Sequence, residues 1–190
     1  MRKQTDPVTT PPMLELPIHR RLRFVLVRPH YPENVGAAAR AIKTMGFSEL
    51  RLVKPGRLAE PSHVMAEKMA VKSLDVLQRH PPTLDLPSAL GGVTFCYTTT
   101  ARRGVSGVLT ARQAARDAVE RAAAGEELAF VFGNEKTGLA EEDLYAAGAQ
   151  VRIPMAADQP SINLAQAVQL VAYELFVSAL EARERGKPLP

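Results

Sequence analysis

The chain has 190 residues, 46% of them hydrophobic, which suits one domain with its own core. Its one cysteine, Cys96, excludes an internal disulfide framework, its four scattered histidines lack metal-ligand spacing, and no apolar run approaches the roughly 20 residues of a membrane helix. The N-terminus lacks a signal-peptide pattern, so the expectation is a cytoplasmic protein with neither membrane nor metal among its partners; a net charge of +4, with 17 arginines among 24 basic residues, points instead to a polyanion.

Residues 1–17 carry Pro7, Pro11, Pro12 and Pro17 among threonines, a composition that reads as a flexible arm. A single domain is expected over 18–182, with a tail at 183–190. "RFVLV" and "LRLV" are short β-rich runs. Between them "NVGAAARAIKTMG" puts Val35, Ala38, Ala39, Ile42 and Met45 on one helical face, with Asn34 as the expected N-cap and Gly46 as the stop. A helical region over about 60–79 comes next, then the strand "VTFCY", the helix "TARQAARDAVERAAAG" and the strand "LAFVF". The short helix "AEEDLYAAG", the strand "QVRIP" and a long helix from about 161 to 180 complete the order.

Strands alternating with helices imply an α/β fold, a mostly parallel sheet with helices on both faces. Ligands in such folds gather at the C-terminal ends of the strands, which singles out the loops at 31–36, 98–104, 133–139 and 154–164. The loop in "FVFGNEKTGL" (130–139) has the outer glycines of a phosphate-binding loop, but Leu139 follows Gly138 where that motif needs Lys and then Ser or Thr. Lys136-Thr137-Gly138 matches part of a penicillin-binding signature whose Ser-x-x-Lys partner is absent, and there is neither a GxSxG elbow nor a GxGxxG fingerprint. Gly133 is expected to supply positive φ and close backbone approach, and Lys136 to be a surface charge. Cys96 is either a buried core thiol or a nucleophile, the first being the ordinary state of a cysteine in a strand.

Three segments, "NVGAAARAIKTMGF", "FVFGNEKTGL" and "IPMAADQPSINLAQAVQLVAYEL", resemble in order and spacing the three signature motifs of the SpoU-type RNA 2′-O-ribose methyltransferases of the SPOUT superfamily. The likeness runs from about residue 22 to 180. The opening "VLVRPHYPENVGAAARAIKTMGFSELRLVKP" and the "TTTARRG" loop look closest to the branch that methylates cytidine or uridine at nucleotide 32 of the tRNA anticodon loop. The resemblance implies a C-terminal deep trefoil knot, a homodimer, S-adenosylmethionine as cofactor and tRNA as substrate. It places cofactor contacts at Thr98, Thr99, Gly133, Asn134, Glu135, Ile153, Pro154, Met155, Ser161, Ile162, Asn163 and Leu164; Leu139 joins them as an apolar wall for adenine.

Arg40 matches the arginine that the family treats as catalytic, and Asn34, Glu135 and Asn163 are its expected companions. Arg40 follows Asn34 by six residues, and both are expected to face a site near the helix start. Asn34 orients Arg40 or the ribose, or is an N-cap only; Glu135 holds Arg40, of its own or of the other subunit, or completes its own loop; Ser161 and Asn163 contact the cofactor or cap the last helix. A guanidinium is a poor proton acceptor, so the expected role of Arg40 is to grip the phosphate beside the target ribose. Arg20, Arg21, Arg23, Arg102 and Arg103 are expected RNA contacts. Three other readings stay open: the same chemistry on another tRNA nucleotide or ribosomal RNA, a non-catalytic RNA-binding module, and a small-molecule enzyme on a flavodoxin-like sheet.

Overall fold

The computed structural model describes residues 14–102, 104–145 and 148–186. Most of the arm expected over 1–17, the last four residues of the tail, and Arg103 lie outside the described residues. The elements in chain order are α1 (Pro17–Arg21), β1 (Leu22–Val27), α2 (Pro32–Thr44), β2 (Leu50–Val53), α3 (Val64–Met69), α4 (Leu74–Leu77), α5 (Leu86–Ala89) and β3 (Phe95–Thr99). They continue with β4 (Leu109–Thr110), α6 (Ala111–Ala123), β5 (Leu128–Phe132), α7 (Glu141–Tyr145), β6 (Ala149–Arg152) and α8 (Leu164–Arg185).

The six strands form one sheet in the order β2-β1-β5-β3-β6-β4, and every neighbouring pair is parallel. All their C-terminal ends therefore lie along one edge. β1 and β5 run in register from Leu22 beside Leu128 to Leu26 beside Phe132, and both are apolar almost throughout because both faces are covered. Strand alternation splits the core in two. On one face Phe24, Leu26, Tyr97, Phe130 and Phe132 pack under α2, α6 and α8, with the Tyr97 and Phe130 rings stacked at 4.5 Å. On the other, Val25, Val27, Ala129 and Val131 meet Leu86 and Ala89 of α5 and Leu144 of α7.

Several boundaries differ from the sequence reading for local reasons. The helical region expected over 60–79 is two short helices, α3 and α4, and Lys72 between them adopts a left-handed backbone (φ 58°) that a continuous helix cannot hold. Asn34 is not the N-cap of α2; Tyr31 holds that position and Pro32 enters the first turn, where its missing N–H costs nothing. Gly46 ends α2 in the left-handed conformation (φ 88°), as expected. The last helix starts at Leu164, not 161, with the Asn163 side chain accepting from Gln166 N. That helix is long and apolar enough to pass for a membrane span, contrary to the reading of the sequence. Its buried positions, among them Leu164, Val168, Val171 and Leu175, belong to the core beneath it.

Gly36 sets how closely α2 and α3 approach. A Cβ there would lie 2.0 Å from the carbonyl oxygen of Ala66. Alanine in a helix interior ordinarily gains about 1 kcal/mol over glycine, whereas overpacking against backbone costs about 1–3 kcal/mol or more. Gly36→Ala is expected to lower stability by about 1–2 kcal/mol, read from urea denaturation midpoints at unchanged slope; an unchanged or raised midpoint would show that α3 yields freely.

Candidate active site

Three loops and the start of α8 meet at the C-terminal edge of the sheet and enclose a cleft of ≈ 650 Å³, open to solvent at its mouth. The loop after β3 contributes Thr99, Thr100 and Ala101; the β5 loop contributes Phe132 to Glu135 and Gly138; β6 and its continuation contribute Val151, Ile153 and Met155; and 161–167 supplies Ser161, Ile162, Leu164 and Ala167. The lining mixes aliphatic walls with loop backbone and a few hydroxyl and amide groups, the chemistry of a small-molecule site. Nine of the expected cofactor positions line it: Thr99, Gly133, Asn134, Glu135, Ile153, Met155, Ser161, Ile162 and Leu164.

Thr98, Leu139, Pro154 and Asn163 do not line the cleft. Thr98 is fully buried and its Oγ1 donates to the Leu144 carbonyl at 3.3 Å, on the α7 side of the sheet. Thr99, one residue on, turns to the other face and donates to Val131 O at 3.0 Å. Leu139 packs in the core under α5 and α7. Thr100, Ala101, Phe132, Gly138, Val151 and Ala167 line the cleft and were missed. Two of them, Val151 and Ala167, follow from period-2 and period-3.6 spacing around Ile153 and Leu164 once the side facing the cleft is known.

The β5 loop is a tight self-contained hairpin. Asn134 and Gly138 exchange backbone hydrogen bonds of 3.2 and 2.8 Å, Asn134 Oδ1 accepts from Lys136 N and Thr137 N, and Asn134 Nδ2 reaches across to Arg28 O. Gly133 is not in the positive-φ region; the residue that is, at φ 69°, is Gly138. Glycine is required at 133 because a Cβ would lie 2.3 Å from Gly138 C and Leu139 N, so the returning strand of the hairpin excludes a side chain, not a ligand.

Glu135, projecting from this hairpin, completes the start of α2, where Tyr31 offers no side-chain cap. Its carboxylate accepts from His30 N at 2.8 Å, Tyr31 N at 3.2 Å and Asn34 Nδ2 at 2.9 Å. Asn34 Oδ1 in turn accepts from Asn163 Nδ2 at 2.9 Å, and Asn163 Oδ1 accepts from Gln166 N at 3.2 Å. Every donor in this relay points toward the carboxylate, so the bonds reinforce one another; the carboxylate lies at the amino end of α2, and the amino end of α8 is linked to it through Asn163 and Asn34. Asn34, Glu135 and Asn163 are thereby brought together as expected. Arg40 is not brought to them. Six residues at about 100° each leave it some 120° around α2 from Asn34; Asn34 is buried, whereas Arg40 is exposed and has no side-chain partner among the described residues.

Arg102 donates to Leu139 O at 2.9 Å, and Arg152 donates to the Arg102 carbonyl, so two guanidinium groups stand near the β3 loop. Arg152 was not singled out from the sequence. Arg20, Arg21 and Arg23 lie at the opposite edge of the sheet, where β1 begins; Arg20 pairs with Glu15, Arg21 with Glu127, and Arg23 donates to Ala89 O and Gly91 O. Cys96 lies in the core beneath α5 and α7, where burial pushes its thiol up to about 12. It is a core thiol. Among the described residues no group of three or more His, Cys, Asp or Glu is placed to hold a metal.

The model of the SpoU rRNA Methylase family matches residues 21–173. The chain is 38% identical over 170 residues to a tRNA (cytidine/uridine/adenosine-2′-O-)-methyltransferase, TrmJ, of Pseudomonas aeruginosa, covering 88% of this chain and 64% of that protein. The chain spans 64–68% of the length of the curated relatives it matches. Among solved structures, a probable methyltransferase from Bordetella pertussis superposes with a TM-score of 0.79 at 37% identity, over 84% of this chain and 96% of that one. An rRNA methyltransferase from Sinorhizobium meliloti, solved with AdoMet bound, shares the fold: TM-score 0.64, 23% identity, 92% of this chain and 60% of that one.

Two outcomes follow from this geometry. Glu135→Ala is expected to cost about 1–2 kcal/mol in chemical denaturation, since it removes the acceptor of His30 N and Tyr31 N and strands Asn34; a loss below about 0.3 kcal/mol would mean that water replaces the carboxylate. In the native protein Cys96 is expected to resist thiol reagents at pH 8 and to react once urea unfolds the chain, because the thiolate is the reactive form. Rapid labelling of the folded protein would contradict its placement in the core.

Proposed function

This chain belongs to the SpoU methylase family, and from that premise we propose that it transfers a methyl group from S-adenosylmethionine to a ribose 2′-oxygen of RNA. The observation that carries the reading is the cleft itself, which joins the β5 hairpin and the 153–164 segment, two of the three signature motifs, around one small-molecule volume. The residues present fit the cofactor. Val151, Ile153, Met155 and Leu164 offer apolar walls for adenine, and the backbone of 99–101 and 133–135 offers hydrogen-bonding groups beside them. When bound, S-adenosylmethionine supplies a sulfonium methyl that is open to in-line attack.

The protein's part is alignment, which removes much of the barrier to a two-reactant displacement. Asn34, Glu135 and Asn163 hold the β5 hairpin, α2 and α8 in one geometry. The Glu135 carboxylate already accepts three hydrogen bonds, and its role is to position these segments; the ribose proton leaves to phosphate or water. Arg40, exposed on α2 and without a side-chain partner among the described residues, is available to an RNA phosphate and stabilises the developing 2′-alkoxide. Its site is completed by RNA and by a second copy of the chain, the family's homodimer. Arg102, in the loop after β3, and Arg152, at the end of β6, approach RNA from this edge of the sheet, and Arg103 is proposed as a further RNA contact. Arg20, Arg21 and Arg23, across the sheet, contact only a substrate large enough to wrap around the domain.

We propose tRNA as the substrate, at cytidine or uridine of anticodon-loop nucleotide 32, from the likeness of the β1–β2 segment and the "TTTARRG" loop to that branch. We also propose that the 153–164 segment threads through the β5 loop as the family's trefoil knot, that 18–182 forms the catalytic domain between an arm and a tail, and that the enzyme works in the cytoplasm.

The test is to incubate the protein with labelled S-adenosylmethionine and total tRNA from a strain lacking it, and to map the product by mass spectrometry. A 2′-O-methyl group at nucleotide 32 is the expected result; label on a base, or none in tRNA, would overturn the reading. Arg40→Lys is expected to lower kcat/KM by about 10- to 100-fold, the value of a charge-assisted hydrogen bond of about 1.5–3 kcal/mol, with calorimetric cofactor affinity unchanged. Near-full activity would remove Arg40 from the chemistry.

A further inference from the structure

Beside the cleft stands a group of side chains that methyl transfer as derived above does not use. Tyr31 occupies the N-cap position of α2 without capping it, and the residue is 43% exposed. The His30 ring stands edge-on to it, with centroids 4.7 Å apart and planes at 86°. Lys136 Nζ lies 5.5 Å from the Tyr31 ring centroid and 3.1 Å from His30 Nε2, which accepts from the ammonium in the neutral tautomer that carries its proton on Nδ1. Lys136 has no carboxylate partner among the described residues.

The group is tied to the cleft wall through backbone. Glu135 lines the cleft and accepts the N–H groups of both His30 and Tyr31. Lys136 is the next residue, and Asn134 Oδ1, also at the cleft, holds its N–H at 2.8 Å. An exposed aromatic face with a fixed cation beside it is the arrangement that binds a nucleotide, since a base stacks on the ring while a phosphate meets the ammonium. Neither interaction requires a particular base, so the seat holds the strand in place without reading its sequence.

We propose that Tyr31, His30 and Lys136 seat the nucleotide that adjoins the methylated one, with its base on Tyr31 and its phosphate on Lys136. This rests on the reading of the cleft as an RNA methylation site. Seating a neighbour one hydrogen bond from the cleft wall would limit the positions open to the target ribose. These are binding and positioning residues, so their loss should appear in KM and not in the chemical step.

The experiment uses the full chain and the same unfractionated tRNA, comparing the unmodified protein with Tyr31→Ala, Tyr31→Phe and Lys136→Ala. Tyr31→Ala is expected to raise KM for tRNA about tenfold with kcat within about twofold, and Tyr31→Phe to restore it, since stacking needs only the ring. Lys136→Ala is expected to lower the slope of log affinity against log salt by about one. Calorimetric S-adenosylmethionine affinity and sedimenting mass are expected to stay unchanged in all three. An unaltered KM in Tyr31→Ala overturns the proposal, and so does a change in cofactor affinity or mass, which would assign Tyr31 to the cleft wall or to contact with a second copy. Should Tyr31→Ala not fold, an unaltered salt slope in Lys136→Ala overturns it alone. Failure of the unmodified protein to methylate any RNA strikes the reading of the cleft, and is seen before any variant is compared.

Discussion

The Glu135 carboxylate joins segments more than 100 residues apart in the chain. It sits on the β5 hairpin, accepts the backbone N–H groups of His30 and Tyr31 just before α2, and is linked through Asn34 to Asn163 at the start of α8. An unpartnered carboxylate at such a position would be costly to desolvate. Here it gains three donors beside the amino end of α2, while α8 is capped by its own Asn163 and joined to the carboxylate through Asn34. The cleft depends on this contact, because its walls are the hairpin on one side and the approach to α8 on the other.

The sheet makes that meeting possible. Parallel strands put every loop that follows a strand at the same edge, and the order β2-β1-β5-β3-β6-β4 sets the ends of β1, β5, β3 and β6 side by side. β1 and β5 are adjacent, so Arg28 and Asn134, each just past its strand, come within hydrogen-bonding distance. After β1 the chain turns outward through α2 to β2, whereas the later strands add on the far side of β5. The gap between these two directions is where a doubly wound sheet leaves room for a ligand, and the Glu135 relay spans it. Beneath it, Phe24, Phe130 and Tyr97 form a stiff aromatic layer that keeps the strand ends in fixed relation.

Much of the fold was legible because it rests on local pattern. The strands "RFVLV", "LRLV" and "LAFVF" were read correctly from β-branched and aromatic runs, and Gly46 from the end of an apolar helical face; of the two caps left open for the last helix, Ser161 and Asn163, the structure uses Asn163. Misplaced features needed information from outside their own segment. Asn34 has the residue type of a cap, yet Pro32 two positions earlier had already begun the helix, and the amide is used instead against Glu135 and Asn163. Gly133 was expected to supply positive φ, which it does not, and close backbone approach, which it does: the backbone that comes close is that of its own hairpin.

By itself the sequence determined the alternation of strands and helices, the parallel sheet, the edge on which a site would form, and the residue types gathered there, because each depends on periodicity or on motifs a few residues long. Only the tertiary structure decided which side of the sheet each strand residue faces, which is why Thr99 enters the cleft and Thr98 is buried away from it. It alone decided that Glu135 meets α2, and that Arg40 points outward from the relay its neighbours form. Those outcomes depend on the register between distant strands and on the rotation of packed helices, and both are set by the whole core rather than by any one segment.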